Sequence, residues 1–159
     1  MKERAIRVLG DAVINQIAAG EVVDRPASVL KELLENAIDA ESAQIDVEVV
    51  AAGGKLIRVS DDGTGMSRDN ALLSIERHAT SKIRDAADIE RIATLGFRGE
   101  ALAAIAAVSR FTLRTRAQDS LSGTEIAVFG GKIQDVRDAG CPPGTTVEVR
   151  NLFFNMPAR

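Results

Sequence analysis

The sequence predicts an α+β fold, a two-layer sandwich with helices on one face of a mixed, mostly antiparallel sheet. Two observations predict this class. Several short segments alternate apolar and polar residues with period 2, as half-buried strands do. Helical segments lie among them without the strict strand–helix alternation that builds a parallel sheet. The 159 residues, 45% hydrophobic and 27% charged, suit a single folded domain over 1–159, since no repeat or Pro/Gly/Ser linker divides them.

The elements follow in order. Asp11 to Gly20 reads as a short helix, with Asp11 as cap and Val13, Ile14 and Ile17 at helical spacing. A longer helix begins after Arg25-Pro26, where proline is tolerated in the first turn, and runs to about Ala40. Leu30, Leu33, Leu34, Ala37 and Ile38 are expected to turn toward the core. Ile45, Val47 and Val49 alternate with Asp46 and Glu48, a half-exposed strand. Gly53-Gly54 turns the chain, and Lys55 to Asp61 returns it. Further helices are expected over Arg68–Arg77, near Asp88–Ala93 and over Glu100–Val108. A charged loop over His78–Asp88 and a glycine loop at Gly96–Gly99 separate them. Arg110–Arg116, Thr124–Phe129 and Thr145–Arg150 complete the strands, with a turn at Gly130-Gly131.

Composition narrows the function classes. Twenty basic against twenty-three acidic side chains give a net charge of −3, so bulk charge does not announce a nucleic-acid partner. The longest apolar run, Ala101 to Val108, has eight residues, far below the ~20 of a membrane-spanning helix, and no membrane partner is expected. The opening Met1-Lys2-Glu3-Arg4 lacks a signal-peptide core behind it. The lone Cys141 cannot form an internal disulfide, which favours a reducing compartment. No G-x-x-x-x-G-K-[ST], no G-x-G-x-x-G after a strand and no G-x-S-x-G is present. One histidine and one cysteine argue against a His/Cys zinc site.

Four segments remain as carriers of chemistry. Glu32 and Asn36 lie four apart, on one helical face bordering Val29. A carboxylate there can accept a proton from water, and an asparagine oxygen can ligate a hard cation such as Mg2+. The alternative is a solvated polar face, continued by Glu35 and Asp39. Asp61-Asp62-Gly63-Thr64-Gly65 closes a strand on which Ile57, Val59 and Asp61 share a face, so Asp61 should point inward. An inward carboxylate needs a donor, such as a ligand's amino group, and Gly63 and Gly65 would let backbone approach that ligand. The alternative is a plain strand-ending Asp-Gly turn. His78-Ala79-Thr80-Ser81-Lys82 offers hydroxyls and an ammonium to phosphate, or is a solvated loop. Gly96-Phe97-Arg98-Gly99-Glu100-Ala101-Leu102 opens a helix whose first N–H groups and dipole favour an anion. Together they supply a base, a metal ligand, a base-recognising carboxylate and phosphate donors: a nucleotide site without a Walker loop.

Three runs carry a family resemblance over essentially the whole chain. Ile14-Asn15-Gln16-Ile17-Ala18-Ala19-Gly20-Glu21-Val22-Val23, the Gly96–Leu102 run and Leu152-Phe153-Phe154-Asn155-Met156-Pro157-Ala158-Arg159 resemble the N-terminal ATPase domains of MutL-type DNA mismatch repair proteins. Gyrase B subunits, the heat-shock ninety chaperones and sensor histidine kinases share the Asn and Asp-x-Gly-x-Gly elements but not these runs. The resemblance implies a Bergerat-type ATP-binding fold, ATP and Mg2+ as cofactors, and slow ATP hydrolysis as a conformational switch. It implies Glu32 as the general base for the attacking water, Asn36 as the Mg2+ ligand and Asp61 as acceptor of the adenine amino group, with Gly63 and Gly65 in the same pocket. Thr80, Ser81 and Lys82 would contact nucleotide from a lid; Gly96, Arg98, Gly99, Glu100, Ala101 and Leu102 would form the phosphate-binding segment.

The implied partners are a MutS-type mismatch-recognition protein, downstream nuclease or helicase factors, DNA in the full-length protein, and a second N-terminal domain through ATP-dependent dimerisation. The implied location is cytoplasmic and nucleoid-associated in a bacterium, nuclear in a eukaryote. Relatives continue into a second domain that gives a lysine to the γ-phosphate, so a chain stopping at Arg159 is expected to hydrolyse ATP poorly. Arg110, Arg114 and Arg116 share a strand face with Thr112, either a phosphate-binding stripe or a solvated face. Competing functions are the catalytic half of a histidine kinase, for which His78 sits in the wrong segment, and a passive nucleotide-holding module.

Overall fold

A computed structural model describes residues 24–76 and 98–156. The helices expected at Asp11–Gly20 and Asp88–Ala93 lie outside these residues. Helix α1 (Pro26–Asp39) begins where an extended Arg25 meets Pro26, whose missing N–H costs nothing in a first turn. Ala40 closes it: its N–H bonds Asn36 O, and the Glu41 N–H bonds Ile38 O. Val29, Leu33 and Ala37 recur every four residues and are buried, with Leu30 and Leu34 packed beside them. Ile38 departs from expectation at 64% exposed. It sits about 100° past Ala37 in the last turn, off the stripe that meets the sheet.

Strands β1 (Ile45–Val50) and β2 (Leu56–Asp61) form a hairpin. Its turn starts earlier than Gly53-Gly54: Ala51–Gly53 make a 3-10 turn, with Ala51 and Ala52 at left-handed φ of 55° and 54°. Helix α2 (Arg68–Ile75) is capped by Ser67, whose hydroxyl accepts from the Asn70 N–H, and has Glu76 as its C-cap; Arg77, where it was expected to end, lies outside the described residues. Helix α3 (Arg98–Ala107) takes Arg98 and Gly99 into its first turn, where a loop was expected. The remaining strands are β3 (Arg110–Arg116), β4 (Gly123–Phe129), β5 (Lys132–Ala139) and β6 (Gly144–Arg150).

The sheet runs β1-β2-β6-β3-β4-β5, and every pairing is antiparallel. Among the described residues the sheet, expected to be mixed and mostly antiparallel, holds antiparallel pairs alone. Strand β5 was not foreseen. Its apolar residues, Ile133 and Val136, are three apart, which breaks the period-2 signal. A bulge explains this: Ala127 pairs with Asp135 and Val128 with Ile133, so Gln134 is the extra residue and both apolar side chains land on one face.

Registers sort the sheet into two faces. Inward rows read Val47, Val59, Val147, Leu113, Ile126, Val136 and Val49, Ile57, Val149, Phe111, Val128, Ile133. The central members join helical Val29, Leu33, Leu102 and Ile105, and Val108 in the turn after α3, in one core. Burying a Leu113 or Phe111 side chain contributes about 1.5–3 kcal/mol each. Val47 and Val49 share that face but remain 46% and 44% exposed, because β1 is an edge strand.

The outward face is a lattice of charges. Arg58 lies between Glu48 and Glu148, Arg150 also reaches Glu148, and Glu125 is held by Arg114 and Arg137. The C-terminal end of α3 is tied by two segments, the β4–β5 turn and the turn after β6. The Gly131 N–H bonds Ala106 O, Asn155 Nδ2 bonds Ala107 O, and the Phe153 N–H bonds Val108 O. Beyond it the Gly130 N–H bonds Ser109 O.

Candidate functional site

The site is built where the C-terminal turn of α1 meets the end of β2. Asp62, exposed, accepts from the Ala43 and Gln44 N–H groups at 2.8 and 2.9 Å, which hold its carboxyl below the usual aspartate range. The Thr64 N–H bonds Ala40 O at 3.0 Å. These bonds staple the loop after Asp61 to the loop after α1, and so bring Asn36, one turn back, to the same end of the molecule.

Gly63 and Gly65 make the staple possible. A Cβ on Gly63 would stand 2.6 Å from Ala40 O; on Gly65, at φ +66°, it would stand 1.8 Å from Arg116 O. The close approach these glycines permit is to the protein's own backbone. Gln118 Nε2 adds a bond to Gly63 O at 2.8 Å.

Asp61 and Asp62 are neighbours with opposite roles. Asp61 lies on the inward face, as strand parity predicts, and is half-buried. Its Oδ1 accepts from the Gly63 N–H at 2.9 Å and the Thr145 N–H at 3.3 Å. Burial raises its pKa above 3.8, against the two backbone donors and the Ser42 hydroxyl, which favour the anion. The inward row holding Asp61 continues Thr145, Thr115, Thr124. Thr115 and Thr145 hydroxyls stand 2.8 Å apart.

On α1, Glu32 and Asn36 are half-buried on the side toward Val29 and Leu33, whereas Lys31 and Glu35 pair across solvent. Asn36 Oδ1 is buried and has no hydrogen-bond partner. Leaving such a group unmade costs about 1–3 kcal/mol, so a ligand suited to a carbonyl oxygen is implied. Among the described residues no group of three His, Cys, Asp or Glu side chains converges. A hard cation here would therefore draw on Asn36, phosphates and water, the usual habit of Mg2+.

Arg98, Gly99 and Glu100 lie in the first turn of α3, where N–H groups lack helical acceptors. Ala101 and Leu102 have buried side chains, so their share in an anion site is through the helix backbone they anchor. Thr80, Ser81, Lys82 and Gly96 lie outside the described residues.

The arginine stripe is engaged within the protein. Arg114 bonds Glu125 at 2.9 and 2.6 Å, Arg116 bonds the Ser120 and Cys141 carbonyls, and Arg110 stacks on Phe129 and Phe154. Sequence reasoning missed Thr115, Thr145 and Ser42. Thr145 stands 84 residues from Asp61, and only the β2–β6 register joins them.

Comparison with known proteins agrees with this geometry. A family model described as histidine kinase-, DNA gyrase B- and HSP90-like ATPase matches residues 24–142. The DNA mismatch repair protein MutL of Acidobacterium capsulatum is 66% identical over 97% of this chain and 23% of that protein. That of Syntrophotalea carbinolica is 60% identical over 97% and 24%. The chain thus spans about a quarter of the length of these relatives. The solved ATPase domain of Aquifex aeolicus MutL complexed with ADP is 39% identical, with a TM-score of 0.63 over 86% of this chain and 46% of that one. A solved N-terminal domain of a DNA repair protein is 31% identical, with a TM-score of 0.77 over 94% and 43%. The antiparallel sheet, the inward Asp61 and the matched family model together mean that the chain belongs to the histidine kinase-, DNA gyrase B- and HSP90-like ATPases, among which it resembles the MutL ATPase domains over nearly its whole length.

Proposed function

We propose that the chain binds Mg2+ and ATP and hydrolyses ATP slowly, as a conformational switch in DNA mismatch repair. The observation that carries this is Asp61: an inward, half-buried carboxylate oriented by two backbone donors to its Oδ1. An anionic acceptor so held selects a base with an exocyclic amino group, as adenine has, over one with a carbonyl there. The orphaned Asn36 Oδ1 supports a cation beside the phosphates. Bound there, Mg2+ would neutralise charge on the phosphates.

Each residue of this chain then has a task. Asp61 orients the purine and Asn36 holds the cation's side of the triphosphate. N–H groups in the first turn of α3, at Arg98, Gly99, Glu100 and Ala101, face the phosphates, and Leu102 anchors that turn in the core. Thr80, Ser81, Lys82 and Gly96 are assigned further nucleotide contacts by their place in the motifs. Glu32 takes a proton from water as its oxygen attacks the γ-phosphorus and the bond to the bridging oxygen breaks, releasing ADP.

The names of the relatives support mismatch repair. The partners proposed with it, from the resemblance alone, are a MutS-type protein, nuclease or helicase factors, DNA and a second N-terminal domain. The proposed place of work is the cytoplasm, with the nucleoid, in a bacterium and the nucleus in a eukaryote. Calorimetric titration of a non-hydrolysable ATP analogue, with and without Mg2+, tests the reading. Asp61→Asn should weaken binding with or without the metal, whereas Asn36→Ala should abolish the gain from Mg2+. Unchanged isotherms for both variants would refute it. Glu32→Ala should retain binding and lose turnover in a longer protein that carries this chain.

A further inference from the structure

We propose that Thr115 is a positioning residue that fixes the hydrogen-bonding sense of Thr145, so that the Thr145 hydroxyl meets the purine edge only as an acceptor. The inference rests on reading the cleft at Asp61 as an adenine-nucleotide site.

The contacts of Thr115 Oγ1 determine where the protons lie. Thr115 is buried on the inward face. Its Oγ1 stands 2.9 Å from the Met66 N–H, 3.0 Å from Gly144 O and 2.8 Å from Thr145 Oγ1. A hydroxyl carries one proton and two acceptor lone pairs. The Met66 N–H can only donate, so it takes one lone pair. Gly144 O can only accept, and at 3.0 Å it is placed to take the proton. By distance alone either threonine could donate across the 2.8 Å contact; with the Thr115 proton on Gly144 O, the second lone pair is left for Thr145, and we assign the Thr145 hydroxyl as the donor. With its proton spent, Thr145 Oγ1 presents only lone pairs toward the side where Asp61 lies, and its backbone N–H is bound to Asp61 Oδ1.

The purine thus meets two acceptors side by side, a carboxylate and a threonine oxygen. An exocyclic amino group, or a water donating from the base edge, satisfies both. A 6-oxo purine presents an acceptor to acceptors and leaves buried lone pairs opposed. Replacing the Thr115 hydroxyl would free the Thr145 proton to donate into the cleft and so accommodate a carbonyl. The selectivity of the site is therefore set one residue behind the surface that touches the base. The same Oγ1 also ties the loop after Gly65 to the start of β6, which keeps Asp61 and Thr145 in register.

The test compares affinities for ATP and inosine triphosphate in the wild-type chain, Thr115→Val, Thr115→Ser and Asp61→Asn, with folding checked by thermal melting. The preference for ATP should fall about tenfold in Thr115→Val, return in Thr115→Ser and vanish in Asp61→Asn. A folded Thr115→Val with wild-type preference overturns the role of Thr115 while leaving the adenine reading intact. A wild-type chain with no preference, or an Asp61→Asn variant that keeps it, overturns the adenine reading itself. Neutron diffraction from the native chain decides the proton assignment without any variant. The deuteron of Thr145 is expected on the line to Thr115 Oγ1; a deuteron of Thr115 on that line overturns the proposal.

Discussion

At the scale of single residues, the site sets stability against function. Asn36 is a weak helix former in mid-helix, and its buried carbonyl oxygen has no partner. Replacing it by alanine should leave the ligand-free chain as stable or about 1 kcal/mol more so by urea denaturation, while removing the Mg2+-dependent gain in affinity. A loss of several kcal/mol would show that the oxygen has a structural partner. Asp61 predicts a pH dependence. Its pKa is raised above 3.8 by burial, and the anion is the form that accepts from an amino group. Affinity for an adenine nucleotide should therefore fall on acidification before an ordinary aspartate titrates, and Asp61→Asn should cost about 1.5–3 kcal/mol of binding at neutral pH. Parity along Ile57, Val59 and Asp61 made this residue legible in advance. Thr115 and Thr145 were not legible, because their meaning depends on which strands pair.

At the scale of elements, the outward face of the sheet is held by charge. Glu125 is kept below 4.5 by hydrogen bonds from Arg114 and then Arg137. A carboxylate with a lowered folded pKa adds stability above its unfolded value, and this is lost as the pH falls through the lowered one. Denaturation midpoints should drop below about pH 4.5 in the native chain, and Glu125→Gln should flatten that portion of the curve. The cost of Glu125→Gln at neutral pH should be about 1 kcal/mol, since Arg114 and Arg137 are largely exposed and screened. Gly65→Ala belongs here too. Its positive φ and the Arg116 carbonyl 1.8 Å from any Cβ make it costly, about 2–4 kcal/mol in thermal or urea melts. Both helices whose starts were expected near proline or glycine were found, and α3 begins at Arg98, ahead of the expected Glu100, and ends at Ala107, short of Val108. Strand β5 escaped because a bulge turns a three-residue spacing into one face.

At the scale of the molecule, the sheet order puts the most protected backbone in the middle. Amide exchange should be slowest in β6 and β3, which pair on both sides and cover the core, and fastest in β1 and β5 at the edges. Uniform protection across the six strands would contradict the packing. The fold class was legible because periodicity and turn residues are local; the strand order was not, since β2 pairs with β6 across most of the chain. Helix α3 deserves a last consequence. The carbonyls at its close, Ala106, Ala107 and Val108, are gripped by two stretches of chain, the β4–β5 turn and the turn after β6. The end away from Arg98 is thus braced against the sheet's own turns, where a lone helix would fray into water.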